Sequence, residues 1–227
     1  MSLILNIDTS TETAGIFLSS DGQLLASALN PRQNDQAAWI HTAIDKLMRG
    51  AGYQMKDLKA VAVVAGPGSY TGLRVGMATA KGICYALDIP LIIENTLELM
   101  AASAIAQSKN LKIPQSAILC PLIDARRMEV FTAVYDSTLV ELLSPRAMVL
   151  DDASFDTWLT QSPVLFFGSG AAKWQQVCHH SQAYFEAVVF SGEQFVLRTY
   201  SKFLRNEFTV LAYAEPVYLK EFYTHPK

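Results

Sequence analysis

The chain is predicted to be an α/β protein built from two similar halves, and three observations carry that expectation. Apolar runs of strand length alternate with segments of helical period. A wholly apolar run, 58–65, opens into the glycine-rich stretch 66–76, "GPGSYTGLRVG", and then into a long helix of small residues. One plan also occurs twice. "LILNIDTSTETAGIFLSSDG" (3–22) and "AILCPLIDARRMEVFTAVYD" (117–136) each set out an apolar strand ending in Ile-Asp, a short polar turn, and a strand of β-formers ending near an aspartate. Asp8 and Asp124 lie 116 residues apart, about half of the 227-residue chain. Recurrence at half-length favours an internal duplication over chance, with the two halves facing one another across a cleft.

The elements follow in order. Residues 3–7 read as a buried strand and 14–19 as a second. Asp21-Gly22 supplies turn chemistry before a third strand, "QLLASAL". After the polar loop "NPRQND", apolar residues at Ala37, Ile40, Ala43, Ile44, Leu47, Met48 and Ala51 keep helical spacing, with Asp35 as N-cap and Gly50 and Gly52 as stops. The strand 58–65 leads through the glycine loop to a helix over 71–87. "IPLIIEN" is a further strand, and a helix runs from Thr96 to about Ala106. In the second half, "PVLFFGSGAAKW" is a strand, a Gly-Ser-Gly turn and a helix. "QFVLRTYSKFLRNEF" is an amphipathic helix, and the tail "EPVYLKEFYTHPK" is expected to pack on the body.

Composition narrows the function classes. Hydrophobic residues make up 51% of the chain, charged residues 17%, and the net charge is −3, which argues against gripping nucleic acid over a whole surface. Cys84, Cys120 and Cys178 form no Cys-x-x-Cys pair, so neither a disulfide framework nor a zinc ribbon is expected. The opening "MSLILNIDTS" has no basic flank and no long apolar core, so it reads as no signal peptide, and the expectation is a cytoplasmic protein.

The glycine loop is not a P-loop, because Gly72 is followed by leucine instead of Lys-Ser/Thr. It also misses the dinucleotide fingerprint, since Thr71 stands where the third glycine belongs. Two readings stay open: an anion site made by Gly66, Gly68, Ser69 and the helix amides, or a tight turn. Within the helix, Gly72, Gly76 and Ala80 recur every fourth residue, with Ala78 and Gly82 nearby. Glycine costs about 1 kcal/mol against alanine in a helix, so a compensating close approach is expected. The partner is either the 36–51 helix or a helix of another chain.

Asp8, followed by Thr9, Ser10 and Thr11, suits magnesium or phosphate, or else an Asx turn. Asp124 has Arg126 and Arg127 beside it, as phosphate ligands or as solvated turn charges. The histidines, His41, His179, His180 and His225, show no metal-ligand spacing, and no nucleophile elbow is present.

At these residues the sequence resembles the bacterial TsaB (YeaZ) family. "ILNIDTSTETAGIFL", "AVVAGPGSYTGLRVGMATAKGICYALDIPLI", "DARRMEVFTAVY" and "EPVYLKEF" carry the resemblance, which covers nearly the whole chain and is most specific at 66–76. It implies an actin-like (sugar kinase/Hsp70-type) fold of two duplicated ribonuclease-H-like lobes. The first would cover 1–108 and the smaller second 109–193, with 194–227 packing back towards the first. It implies a non-catalytic subunit of the complex that puts the threonylcarbamoyl group on the adenosine beside the tRNA anticodon. The partners implied are the paralogue TsaD, which holds the metal and transfers the group, the ATPase TsaE, and tRNA through the complex. A homodimer is implied for the isolated chain. No tightly bound cofactor is implied, with ATP or ADP acting at the level of the complex.

By position, the partner surface would use the helices 36–51 and 71–87, through Ile40, Ile44, Leu47, Gly72, Val75, Gly76, Thr79 and Ala80. Where many members carry a His-Ser-Glu-like cluster, this chain has Gln36-Ala37-Ala38, a less polar face. Two enzyme readings stand beside this one. The first is a Mg-ATP phosphotransferase using Asp8 and Asp124, and the second a zinc peptidase of the kind the older glycoprotease naming suggests.

Overall fold

The computed structural model describes residues 1–32 and 35–220. Along the chain run β1 (Leu3–Asp8), β2 (Ala14–Ser20), β3 (Gln23–Asn30), α1 (Gln36–Gly50), β4 (Ala60–Gly66), α2 (Tyr70–Leu87), β5 (Leu91–Asn95) and α3 (Thr96–Gln107). There follow β6 (Ile118–Asp124), β7 (Glu129–Tyr135), β8 (Glu141–Val149), α4 (Asp156–Leu159), β9 (Val164–Phe167), α5 (Ala171–Val177), β10 (Ala183–Phe185) and α6 (Gly192–Leu204). β8 and β10 were not anticipated from sequence. The last helix covers 192–204 instead of 194–208.

These elements form two compact units. One comprises Met1–Thr96 with Ser191–Pro216, and the other Leu97–Phe190 with 217–220. The boundary expected after residue 108 therefore falls at Thr96/Leu97. The reason is packing: Leu97, Ala101 and Ala104 of α3 bury against Leu119, Ile123, Leu165 and Phe167 of the second unit. The end of the predicted tail, 221–227 with His225, lies outside the described residues.

In the first unit the strand order is β3-β2-β1-β4-β5. β1–β2 and β2–β3 are antiparallel, while β1–β4 and β4–β5 are parallel. Alternation along β1 sorts its side chains to the two faces. Leu3, Leu5 and Ile7 join Ile40, Ile44, Leu47 and Met77 beneath α1 and α2. Asn6 points the other way, where its Oδ1 accepts a 2.6 Å hydrogen bond from Thr199 Oγ1 of α6. On that face Phe17 meets Phe195 edge-on at 6.1 Å. Glu94, 0% exposed, sits between Lys202 at 3.0 Å and Arg198 at 3.4 Å, which ties α6 to β5.

In the second unit the order is β10-β9-β6-β7-β8. β6–β7 and β7–β8 are antiparallel, while β6–β9 and β9–β10 are parallel. Read from the other edge, this repeats the first sheet strand for strand. Asp8 and Asp124 are the last residues of the equivalent strands β1 and β6, as the duplicated plan requires. The core of this unit is aromatic: Phe155, Phe166 and Trp174 meet pairwise at 5.1–5.9 Å.

Candidate functional site

The residues singled out at the end of β1 do meet those of the glycine loop, and they are bonded to one another. Asp8 is 4% exposed. Its Oδ1 accepts from the Ser10 amide at 2.8 Å and from Ser10 Oγ at 2.6 Å, an Asx turn closed by its own neighbour. Burial pushes the Asp8 carboxyl up from its ordinary value, against the opposing pull of the two Ser10 hydrogen bonds. Ser10 in turn accepts the Ser69 amide on its carbonyl at 2.7 Å. Thr9 Oγ1 donates to the Gly72 carbonyl at 2.7 Å. Ser69 caps α2, its Oγ accepting from the Gly72 amide at 3.3 Å.

The glycines are what allow this contact. A Cβ on Gly68 would stand 2.1 Å from the Ser10 carbonyl oxygen, one on Gly72 2.0 Å from that of Thr9, and one on Gly76 2.2 Å from Thr9 Oγ1. Gly66 has φ +118°, in the region that favours glycine. Gly72 and Gly76 of the stripe thus face chiefly the β1–β2 turn, with Gln36 at the start of α1 against Gly72 as the one helix contact of the kind expected. The Ser69 amide, one of the backbone donors at the start of α2, is taken by Ser10. Gln36 completes the junction: it is 3% exposed, its Nε2 donates to the Thr11 carbonyl at 3.3 Å, and its Oε1 lies against Gly72. Asp35 occupies the N-cap position of α1 without a capping side-chain hydrogen bond.

The residues expected to form the partner surface need correction for the same reason. Ile40, Ile44, Leu47, Gly72, Gly76, Thr79 and Ala80 are buried, and Val75 is half-buried against the same core. Apart from Thr79, which also lines the surface groove described next, they are the inner seam of α1 and α2. The outer seam is different and lies one step round the helix. Ala78, Thr79, Gly82, Ile83 and Ala86 of α2, with His41 of α1 and Met55, line an apolar groove on the surface, so Thr79 of the expected surface does reach it. At Gly82 a Cβ would meet nothing within 4 Å. The sequence signal for it was Ala78–Gly82–Ala86, a second small-residue row beside the one singled out.

Asp124, the topological twin of Asp8, has a different environment. Its Oδ1 accepts from the Arg126 amide at 2.6 Å and from Lys173 Nζ at 2.7 Å, and its side chain is 42% exposed. Partial burial pushes its carboxyl up, but Lys173 and the Arg126 amide outweigh that and hold it below the usual range. Arg126 and Arg127, at φ +68° and +49°, form the exposed hairpin turn. Among the described residues no group of three His, Cys, Asp or Glu stands at metal-binding distance, and no helix is long and apolar enough to cross a membrane. Burial pushes the Cys84 thiol up to about 11 and that of Cys120 up to about 12, which leaves both unreactive.

Duplicated sheets of this order, each with a first-strand aspartate, define a protein of the actin-like, sugar kinase/Hsp70-type fold, here with its first-strand turn folded shut against the glycine loop. The structure of YeaZ from Pseudomonas aeruginosa superposes with a TM-score of 0.80 at 22% identity, over 96% of this chain and 100% of that one. The ethanolamine utilization protein EutJ from Carboxydothermus hydrogenoformans gives 0.51 at 9% identity, over 87% and 90%. The family model "TsaD: tRNA N6-adenosine threonylcarbamoyltransferase" matches residues 31–222. The tRNA threonylcarbamoyladenosine biosynthesis protein TsaB of Bacillus subtilis is 30% identical over 182 residues, covering 77% of this chain and 74% of that protein. The Escherichia coli protein of the same name is 34% identical over 133 residues, covering 58% and 54%. The chain belongs to the TsaD-type family and, within it, to the TsaB (YeaZ) branch.

Proposed function

We propose that this chain acts in tRNA threonylcarbamoyladenosine biosynthesis as a non-catalytic subunit that docks on, and activates, a TsaD-type transferase. The observation that supports the non-catalytic part is the Ser10–Ser69 hydrogen bond at 2.7 Å, which takes up one of the backbone donors a phosphate at this loop would draw on. Support for docking comes from the open apolar groove over Gly82. Small residues at its floor let a partner helix approach closely, so that dispersion contacts accumulate along the seam. Because the partner is a paralogue of the same fold, its equivalent helices would meet α1 and α2 in a four-helix contact. ATP and the ATPase TsaE would act on the assembled complex, and tRNA would be held through it.

The test is reconstitution of tRNA modification with TsaD, TsaE and this chain, omitting each in turn, together with co-purification of this chain with TsaD. Loss of modification on omission, with no ATP turnover by the isolated chain, is the expected result. ATP turnover by the isolated chain would instead favour a phosphotransferase. Stoichiometric zinc in protein purified without added metal would favour a peptidase.

A further inference from the structure

The two sheets share one plan, yet the turns of their first hairpins differ. The β1–β2 turn, residues 9–13, holds no basic residue and no residue with positive φ. At the tip of the β6–β7 hairpin, Arg126 and Arg127 follow one another at φ +68° and +49°. That region suits glycine and asparagine, and arginine enters it against a steric cost. Since the twin hairpin closes without such residues, the fold alone does not require them. Strain of this kind, held at an exposed tip, points to a use for the side chains. The charges agree. Asp124 and Glu129 flank the turn, but Lys173 pairs with Asp124 at 2.7 Å and Lys220 pairs with Glu129. Four cations thus stand against two carboxylates, in a chain whose net charge is −3. Both arginines are exposed, and among the described residues neither guanidinium has a hydrogen-bond or ion-pair partner.

We infer that Arg126 and Arg127 form a direct contact site for the phosphodiester backbone of RNA, here the tRNA on which the proposed complex acts; the inference rests on that role. The ligand class follows from charge and shape. A guanidinium offers a forked pair of donors that matches two phosphate oxygens. Arg126, Arg127 and Met128 are exposed in succession at a hairpin tip, which leaves no walls of the kind that hold a free nucleotide or other small ligand. A polyanion needs no pocket. Each phosphate neutralised releases condensed counterions, and these gains add along the strand. Lys173 and Lys220 keep the flanking carboxylates from competing for the arginines or repelling the strand. Phosphate contacts position a nucleic acid without reading its bases, so the site carries affinity for tRNA and no sequence preference.

The test uses the complex reconstituted with TsaD and TsaE, reading tRNA affinity across a salt series together with KM and kcat for tRNA modification. Arg126→Ala with Arg127→Ala is expected to weaken tRNA binding roughly tenfold at low salt and to make the slope of log affinity against log salt shallower by about 1.4–1.8, the share of two phosphates. KM for tRNA rises with it, and kcat is kept. Arg126→Asn with Arg127→Gly separates binding from folding. These residues suit the left-handed turn, so this variant melts higher than wild type and yet loses tRNA to the same degree. Lys109→Ala with Lys112→Ala removes the same charge from exposed positions of the same unit and leaves tRNA affinity unchanged. Co-purification with TsaD is unchanged in all three variants. Equal weakening by the lysine pair shows an effect of net charge and overturns the inference. So does loss of TsaD association with tRNA binding intact, which makes an acidic protein surface the occupant. Unchanged affinity and slope in an active complex overturn this inference alone, leaving the arginines as solvated turn charges. Modification that proceeds without this chain overturns the proposed role and the inference with it.

Discussion

The Ser69 amide donates to the Ser10 carbonyl at 2.7 Å, and through that one bond the glycine loop is closed against the first-strand turn. Residues 59 positions apart in sequence thereby set where α2 begins. The outer face of α2 is placed by the same contact, and with it the groove over Gly82.

Glycines on this one helix and loop are expected to differ sharply in tolerance. Gly68→Ala and Gly76→Ala put a methyl within about 2 Å of Ser10 and Thr9 atoms. Overpacking of this kind costs about 1–3 kcal/mol. For a chain of this size each kcal/mol is about 2–4 °C in Tm. Gly82→Ala, with nothing within 4 Å, should raise stability by up to about 1 kcal/mol. Urea titration of the three variants measures both signs.

Partner binding should respond to the outer seam. Ala78→Glu and Gly82→Leu alter the groove while leaving the buried row untouched, and each is expected to weaken association with a TsaD-type partner by about tenfold or more, ~1.4 kcal/mol. Calorimetric titration against the partner reads this. Gly76→Leu is a poor probe, because it fails first as a fold variant.

Asp8 makes stability depend on pH in a defined direction. Its folded pKa is raised, chiefly by burial, so the folded state holds the proton more tightly than the unfolded chain. The stability this gives is fully present below the unfolded value of 3.8 and is lost as pH rises through the folded pKa. Asp8→Asn removes the buried charge and keeps an acceptor for Ser10. Its melting temperature relative to wild type should therefore be higher at neutral pH, with the gap closing towards pH 4. A gap that instead widens on acidification contradicts this assignment.

Glu94 is expected to anchor α6. Glu94→Ala leaves Arg198 and Lys202, each about one-fifth exposed, without their shared carboxylate. Breaking a fully buried pair costs about 3–5 kcal/mol, and the partial exposure of both cations brings this variant below that range. Hydrogen exchange should rise first in 192–204 if the loss is local to α6.

The strands and helices of the first unit were legible because their signals are local. An apolar run such as 60–66 is buried on both faces, and the period of α1 marks its buried stripe with little ambiguity. The duplication was legible too, since the Ile-Asp turn recurs on equivalent strands. β8 was not, because its alternation of exposed and half-buried residues around Pro145 resembles a loop. The lobe boundary differs from the expected one because nothing local in α3 says which core it joins, and only packing shows that Leu97, Ala101 and Ala104 enter that of the second unit.

By itself, then, the sequence determined the α/β class, the order of the first-unit elements, the repeat, and the need for close approach along α2. Only the tertiary structure decided what makes that approach. Thr9 and Gly72 are 63 residues apart, and nothing in the local spacing of glycines says whether a helix, a turn or a ligand fills the space beside them. The same holds for the two aspartates. Their strands are equivalent, but Asp8 is buried and bonded to Ser10 while Asp124 is left open to Lys173. A carboxylate's charge state follows from the burial and partners that distant segments supply, and the strand that carries it does not encode them.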